Sequence, residues 1–159
     1  MVRYASRCGL AVLFAASLAA DVRVLAQAAP SIDPFIGSWA LDRARSTFSG
    51  AAPERRIMKF EKVATGIRHS IETLQGEVTY RLQYVFQVDG KDYPADNQMA
   101  VSTVSFKRVD ANTLERTGKY QGSLLETVTF TLSADGKTLT ANQSANNGQN
   151  TSLQVFAKQ

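Results

Sequence analysis

The sequence has one cysteine, one histidine and one tryptophan, and it has no apolar run long enough to span a membrane. Cys8 is the cysteine, and it lies just before a short apolar segment near the first residue. Without that segment the chain has no thiol, which excludes disulfides, thiolate catalysis and cysteine-based metal sites. A single histidine, His69, also excludes the usual zinc ligand sets. Stability must therefore come from a packed core alone, and roughly 130 residues can form one.

The first 28 residues have the pattern of a secretory signal peptide: two arginines, then the apolar run 8–20. A run of 13 residues is shorter than the roughly 20 that a spanning helix needs. The small residues around Gln27 predict cleavage after Ala28, with cleavage after Ala20 or an uncleaved anchor as alternatives. We therefore expect residues 1–28 to be a signal peptide. Residues 29–159 would then form an exported domain, periplasmic or secreted, without an integral membrane segment.

Charge and motifs exclude several function classes. The whole chain carries +4, and removal of the leader, with three arginines and one aspartate, leaves +2. The remaining basic residues are scattered and form no stripe interleaved with aromatics, so no nucleic-acid partner is expected. The chain has no glycine-rich phosphate loop, nucleophile elbow or dinucleotide fingerprint. No cofactor and no metal site are predicted.

The rest of the chain reads as a succession of short strands separated by turn signals rich in glycine, asparagine and aspartate. No 12-residue stretch has a convincing helical period, although residues 43–53 have room for one short helical turn. The predicted strands are 38–42, 55–63, 67–74, 78–88, 99–108, 113–120, 124–132, 137–143 and 152–158. Many short strands at close spacing predict an all-β sandwich or barrel.

Two hairpins indicate how the strands pair. Residues 78–88 alternate almost perfectly between apolar and polar, which predicts one buried face and one wet face. A two-residue turn at Gln75 and Gly76 would place His69 opposite Leu82, with both apolar sets on one face.

In the later hairpin, a three-residue loop at 121–123 would pair Tyr120 with Leu124, Gly118 with Glu126 and Arg116 with Val128. A run of hairpins that each have one apolar face hides those faces by curling closed. We therefore predict a single up-and-down antiparallel β-barrel of about 8–10 strands.

The stretch "DPFIGSWAL", residues 33–41, contains the only tryptophan. Its Gly37-Ser38-Trp39 resembles the Gly-x-Trp that opens lipocalins and related calycin barrels. The resemblance implies that Trp39 plugs the closed end and that Gly37 permits close backbone approach at a bend. It also implies that a basic side chain from a late strand covers the indole, for which Arg108 and Lys158 are both candidates.

A longer set of segments resembles a group of small exported bacterial proteins of lipocalin-like type, for which no common function is established. The segments, in order, are "GSWALDRARSTF", "VDGKDYPADNQ", "SFKRVDANTLE", "SADGKTLT" and "SLQVFAKQ". This resemblance implies the barrel and export but no reaction. The disulfides and the long open-end loop of true lipocalins are missing, so their ligands do not carry over.

Register places several polar groups inside the predicted barrel. His69 would have Tyr80 and Tyr84 on its diagonals, within reach of their hydroxyl groups. His69 is therefore a candidate general base, with either tyrosine as acid or oxyanion donor. The alternative is a core histidine that is hydrogen-bonded to a tyrosine.

Arg116 and Glu126 are candidates to hold a polar ligand head, or to pair with each other because an unpaired buried charge is costly. The aromatic residues predicted to line or fill the interior are Tyr80, Tyr84, Phe86, Tyr120 and Phe130. The loop with Asp89, Asp92 and Asp96 lacks calcium-loop spacing, and we interpret it as a turn on the rim.

Three functions fit this pattern. The first is an exported barrel that binds a small apolar or amphipathic molecule, because the interior combines apolar residues with a few polar groups. The second is a cofactor-free isomerase, lyase or hydrolase that uses His69 with Tyr80 or Tyr84. The third is a packed barrel that acts as an envelope or interaction protein. An open cavity at His69 would favour the first two.

Overall fold

The computed structural model describes residues 31–97, 101–145 and 147–159. The predicted leader, residues 1–28, lies outside the described residues and stays a prediction. The strands are β1 Gly37–Thr47, β2 Arg55–Val63, β3 Gly66–Gln75, β4 Val78–Phe86, β5 Tyr93–Pro94, β6 Asp96–Asn97, β7 Thr103–Asp110, β8 Thr113–Tyr120, β9 Ser123–Leu132, β10 Thr138–Ala145 and β11 Asn150–Lys158. A short 3-10 helix, Asp33–Phe35, precedes them.

All the strands belong to one antiparallel sheet, in which each long strand pairs with its neighbour in the chain and β1 pairs with β11. The predicted all-β, up-and-down antiparallel barrel is confirmed, and the barrel is nearly closed. The two long strands at the edges of the sheet are β4 and β7, and each pairs with a short strand. β6 pairs with β4, and β5 pairs with β7. Because β4 and β7 run in the same direction, residues 93–97 between them supply the antiparallel partner that each edge lacks.

The first strand is longer than predicted, and it includes residues 43–47, part of the segment that had room for a short helical turn. Between Asp42 and Thr47 the pairing of β1 with β11 has a local irregularity. Nε of Arg45 donates to the carboxylate of Asp42 at 2.7 Å, and the hydroxyl of Ser46 donates to the backbone carbonyl of Asp42. The Ser46 hydroxyl also accepts the backbone N–H of Val155, so the strand continues across the irregularity.

The register between β3 and β4 differs from the predicted one by two residues. The turn is at Gly76 and Glu77, and Gly76 has φ +60°, a conformation that glycine adopts without strain. A shift of two keeps every side chain on its predicted face. It places His69 directly opposite Tyr84 instead of Leu82.

The hairpin of β8 and β9 keeps the predicted pairs of Gly118 with Glu126 and of Arg116 with Val128. Its turn has two residues, and the register changes after Gly118, so Tyr120 lies opposite Ser123. The side chain of Tyr120 is 49% exposed. The predicted inward position of Tyr120 is therefore wrong, because the end of β8 extends past the last paired residue of β7.

Trp39 is fully buried at one end of the barrel, and its indole N–H donates to the carbonyl of Phe35 at 2.9 Å. The ammonium of Lys158 lies 5.1 Å from the ring centroid, which resolves the choice between the two basic candidates. Arg108 instead donates to backbone carbonyls in its own turn. Gly37 has φ +137°, and a Cβ there would lie 3.1 Å from Cε of Lys158. The glycine therefore leaves room for the lysine that covers the indole.

Aromatic rings fill the half of the interior next to the tryptophan. We call this the aromatic floor; its members are Phe60, His69, Tyr84, Phe86, Phe106 and Phe130. Phe86 of β4 stacks on Phe106 of β7 at 3.8 Å between centroids. This stack connects β4 with β7, which β5 and β6 bridge through only a few paired residues.

Candidate functional site

Above the aromatic floor, the other half of the barrel contains an open-sided cavity of about 200 Å³. Its apolar surface includes Met58, Leu82, Val128, Phe130, Ala141 and Phe156. These residues come from β2, β4, β9, β10 and β11, so the cavity lies within the barrel. The prediction left open whether the interior is filled, and the structure contains both a filled half and an open half.

Polar side chains form a continuous set of hydrogen bonds around this cavity. We call it the polar chain; in order it contains Thr73, Arg56, Gln154, Gln143, Glu126, Arg116, Tyr84 and His69. Its members come from β2, β3, β4, β8, β9, β10 and β11. Each side chain of the polar chain thereby has at least one hydrogen-bond partner, as buried polar side chains usually do.

Arg56 is the first charged member of the polar chain. Its Nε donates to the hydroxyl of Thr73 at 2.9 Å, and its Nη1 donates to Oε1 of Gln154 at 2.6 Å. Both partners are neutral. Burial lowers the pKa of Arg56, with the charge of Glu126 opposing the effect and that of Arg116 adding to it. Arg56 thus remains a cation in a place that disfavours charge.

Arg116 and Glu126 form an ion pair across β8 and β9, and Glu126 also accepts a bond from Gln143. Burial opposes the charge of Arg116, but Tyr84 and Glu126 outweigh it and raise the pKa of this guanidinium. The carboxylate lies over Gly118, where a Cβ would come within 3.0 Å of Cγ of Glu126. The missing side chain at residue 118 is therefore what lets Glu126 reach its partners.

Tyr84 connects this ion pair to the aromatic floor. Its hydroxyl accepts from Nη1 of Arg116 at 3.3 Å and lies 2.5 Å from Nδ1 of His69. Burial raises the pKa of Tyr84, so the phenol keeps its proton. An arginine only donates, so the phenol is free to donate that proton to Nδ1. His69 is then the neutral tautomer with its hydrogen on Nε2, a buried atom without a partner among the described residues.

We expect the protein to lose stability as the pH falls from about 6.5 to 5. Burial, and then the charge of Arg116, hold the pKa of His69 well below its usual value. Folded His69 stays neutral where the unfolded chain binds a proton, near pH 6.5. The unfolded state then holds the extra proton, so the free energy of unfolding falls by up to about 1.4 kcal/mol per pH unit. The contribution of His69 is complete above about pH 6.5.

Urea unfolding across this pH range measures the effect. The matched variant is His69→Phe, which keeps a ring on Phe60 but has no titrating group, and its stability should be nearly independent of pH in this window. A wild-type curve as flat as that of the variant would contradict the assignment of a neutral, buried His69.

The structure brings together some of the predicted site residues and separates others. His69 contacts Tyr84, whereas Tyr80 lies four residues further along β4, about 13 Å away along the strand. Tyr80 lines the cavity and is 39% exposed. Phe86 is fully buried in the aromatic floor and is not among the cavity-lining residues, and Tyr120 lies on the rim.

His69 and Tyr84 also lie outside the set of cavity-lining residues. A general base must come within hydrogen-bond reach of the proton that it removes. His69 reaches the cavity only through Tyr84 and Arg116. This geometry gives no support to His69 as a direct base for a molecule in the cavity.

Four members of the polar chain were missed by the sequence reasoning: Arg56, Thr73, Gln143 and Gln154. A signal for two of them was available. Arg56 alternates with Met58 and Phe60, and Gln154 alternates with Phe156, so each shares a face with large apolar residues. A polar residue on an apolar face is the informative exception.

The acidic loop does not form a metal site in the described part of the chain, where no group of three or more potential ligands occurs. Asp92 pairs with Lys119, and Asp89 accepts bonds from Tyr93 and the backbone of Lys91. Across residues 31–97, 101–145 and 147–159, no helix has the length and apolar character that crossing a membrane requires.

Comparison with protein-family models gave no match, and comparison with curated protein sequences gave none either. Among solved structures, the chain is similar to the fluorescent protein UnaG in its wild-type form. The identity is 12% and the TM-score 0.54, over 81% of this chain and 100% of that chain. An asparagine-to-alanine variant of UnaG has 14% identity and a TM-score of 0.55, over 81% of this chain and 99% of that one. These similarities show that the chain shares its β-barrel fold with UnaG.

Proposed function

We propose that the barrel binds a small amphipathic molecule with an anionic head group, such as a carboxylate. In this proposal Arg56 holds the head, and the apolar part of the ligand lies against the floor of the cavity. The main support for this proposal is the unequal charge of the polar chain, which has two guanidinium groups and one carboxylate. Glu126 is paired with Arg116, and Arg56 has no ion-pair partner among the described residues.

The energetics support an anion at Arg56. A largely buried cation without a counter-ion is costly, and its lowered pKa reflects that cost. A ligand carboxylate would replace the missing counter-ion and would make charged hydrogen bonds, which are stronger than neutral ones. Arg116 offers a further donor, because its buried Nε has no partner among the described residues.

The size and composition of the cavity support a small ligand with an apolar part. Cavities of about 150 Å³ lined by apolar residues hold molecules of the size of benzene, and this one has about 200 Å³ and an open side. Binding sites typically combine apolar walls with a few polar groups that fix orientation. The surface here follows that pattern, with Val128 and Leu82 on the walls, Phe130 at the floor, and members of the polar chain beside them.

The test is displacement of the fluorescent probe 1-anilinonaphthalene-8-sulfonate by octanoate, decanoate and the alcohols of equal length. We expect each carboxylate to displace the probe about 10-fold or more better than its alcohol, because a charged hydrogen bond contributes roughly 1.5–3 kcal/mol. Arg56→Met should remove this preference and leave the affinity for the alcohols nearly unchanged.

Arg55 provides a matched control one residue away. It faces outward and pairs with Glu72 at 3.0 Å, with both side chains well exposed. Arg55→Met removes the same charge from the same strand, so it should keep the preference for carboxylates. Equal loss in the two variants, or equal displacement by carboxylate and alcohol in the wild type, would contradict the proposal. Failure of every compound to bind would reject a binding function of this kind altogether.

A further inference from the structure

Phe130 is the one member of the aromatic floor that also lines the described cavity. Its ring meets Phe60 edge-on at 5.8 Å and His69 edge-on at 5.9 Å, and it lies parallel to Phe106 at 6.2 Å. One face of this side chain therefore belongs to the cavity, and the rest belongs to the packed half of the barrel. Phe130 is the boundary between them.

The packed half leaves no path beyond that boundary. Phe60 and His69 stack at 4.2 Å between centroids, and both are fully buried. Phe86 and Phe106 close the side toward β4 and β7 with their own stack. Protein interiors packed in this way hold few voids larger than a water molecule. A ligand that enters from the open side must therefore stop at Phe130.

Arg56 marks the opposite limit of the binding space. It pairs with Thr73, which pairs with Tyr80, close to the turn of the β3–β4 hairpin. Phe60 lies four residues further along β2, about 13 Å from Arg56 along the strand. The distance between a head group at Arg56 and the ring of Phe130 is therefore set by the barrel itself.

We propose that Phe130 determines ligand specificity by limiting the length of the apolar chain that the barrel accepts. This inference rests on the proposed function, because it needs a head group fixed at Arg56. Within the limit, each additional buried methylene should strengthen binding about fourfold. Beyond the limit, the chain has to leave the cavity or bend, so the gain per methylene stops.

The test is a series of saturated carboxylates from hexanoate to tetradecanoate, each used to displace 1-anilinonaphthalene-8-sulfonate. Wild-type affinity should rise by about fourfold per methylene and then level off or fall. Phe130→Leu and Phe130→Ala should shift the chain length that binds most tightly to a longer chain, because a smaller side chain at residue 130 deepens the cavity. Ala141→Leu should move it to a shorter chain, since Ala141 pairs with Phe130 and also lines the cavity.

Phe106→Leu is the matched control, because it removes the same volume from the same aromatic floor without lining the cavity. It should leave the best chain length unchanged. Circular dichroism identifies any variant that does not fold, and Phe130→Leu and Ala141→Leu keep the test decisive if Phe130→Ala is lost. An unchanged best length in folded Phe130→Leu, or an equal shift in Phe106→Leu, would overturn the inference. In both cases the wild type would still bind carboxylates in preference to alcohols, whereas failure of the proposed function would appear as no such preference or as no binding at any length.

Discussion

Replacing Trp39 with alanine is expected to lower the free energy of unfolding by about 3–5 kcal/mol, the range for a fully buried large aromatic residue. The indole is completely inaccessible to solvent, and it closes one end of the barrel between Phe35 and Lys158. Its loss removes the apolar contacts, leaves a cavity and frees the carbonyl of Phe35. Urea unfolding followed by circular dichroism measures the change.

Two milder variants separate the parts of this effect. Trp39→Phe keeps a ring but loses the N–H donor, so it should destabilise the protein less than Trp39→Ala does. The unsatisfied carbonyl of Phe35 should account for about 1–3 kcal/mol of the cost of Trp39→Phe. Lys158→Met removes only the cation over the ring, worth about 0.5–1 kcal/mol at a partly exposed site. A denaturation midpoint for Trp39→Ala that equals the wild-type value would show that Trp39 does not plug the barrel.

The single variant Arg116→Met is expected to destabilise the protein by about 3–5 kcal/mol, because it leaves Glu126 as an uncompensated charge inside the barrel. Arg116 is only 3% exposed. The double variant Arg116→Met with Glu126→Leu should regain most of this loss, since apolar residues of similar size often replace a buried ion pair without cost. A double-mutant cycle in urea measures the coupling.

Lys107 and Glu115 form the control pair, because they connect β7 and β8 on the outer surface at 2.7 Å. Lys107→Met should cost less than about 1 kcal/mol, as is usual for an exposed ion pair. If Arg116→Met costs no more than Lys107→Met, the interior pair does not have the energetic role that its burial indicates. The double variant should still prefer decanoate to decanol, since the proposed head-group site is Arg56, although it loses the further donor of Arg116.

Alternation along the strands was enough to predict the barrel and most of its interior. Val78–Phe86 alternates so regularly that the buried face is evident, and a register error of two residues does not change it. The register error came from the position of the turn, because Gln75-Gly76 and Gly76-Glu77 are both plausible two-residue turns in the sequence. The pairing of Gln75 with Val78 in the structure distinguishes them, and it places Gly76, with φ +60°, at the first turn position.

Two links of the polar chain, Arg116 with Glu126 and His69 with a tyrosine, were predicted as alternatives because each lies within one hairpin. The complete chain could not be predicted, because some of its other contacts join residues far apart in the sequence. Arg56 and Gln154 are separated by 98 positions, and neighbouring residues do not encode which inward side chains meet across a barrel. Alternation also does not show whether an inward position is filled or open. Phe86 and Phe130 have the same pattern in their strands, yet one is packed in the floor and the other lines the cavity.

The pairing of β1 with β11 has a consequence for when this chain can fold. Trp39 lies opposite Lys158, and the backbone N–H of Gln159 donates to the carbonyl of Ser38. The plug thus needs the first and the last strand of the barrel together, so the barrel cannot close until β11 is available to pair with β1. Contacts between such distant residues also slow folding. Until β11 has paired with β1, the apolar face of the earlier strands stays exposed, and for that interval the chain is open to chaperones and to other partners that act on unfolded chains.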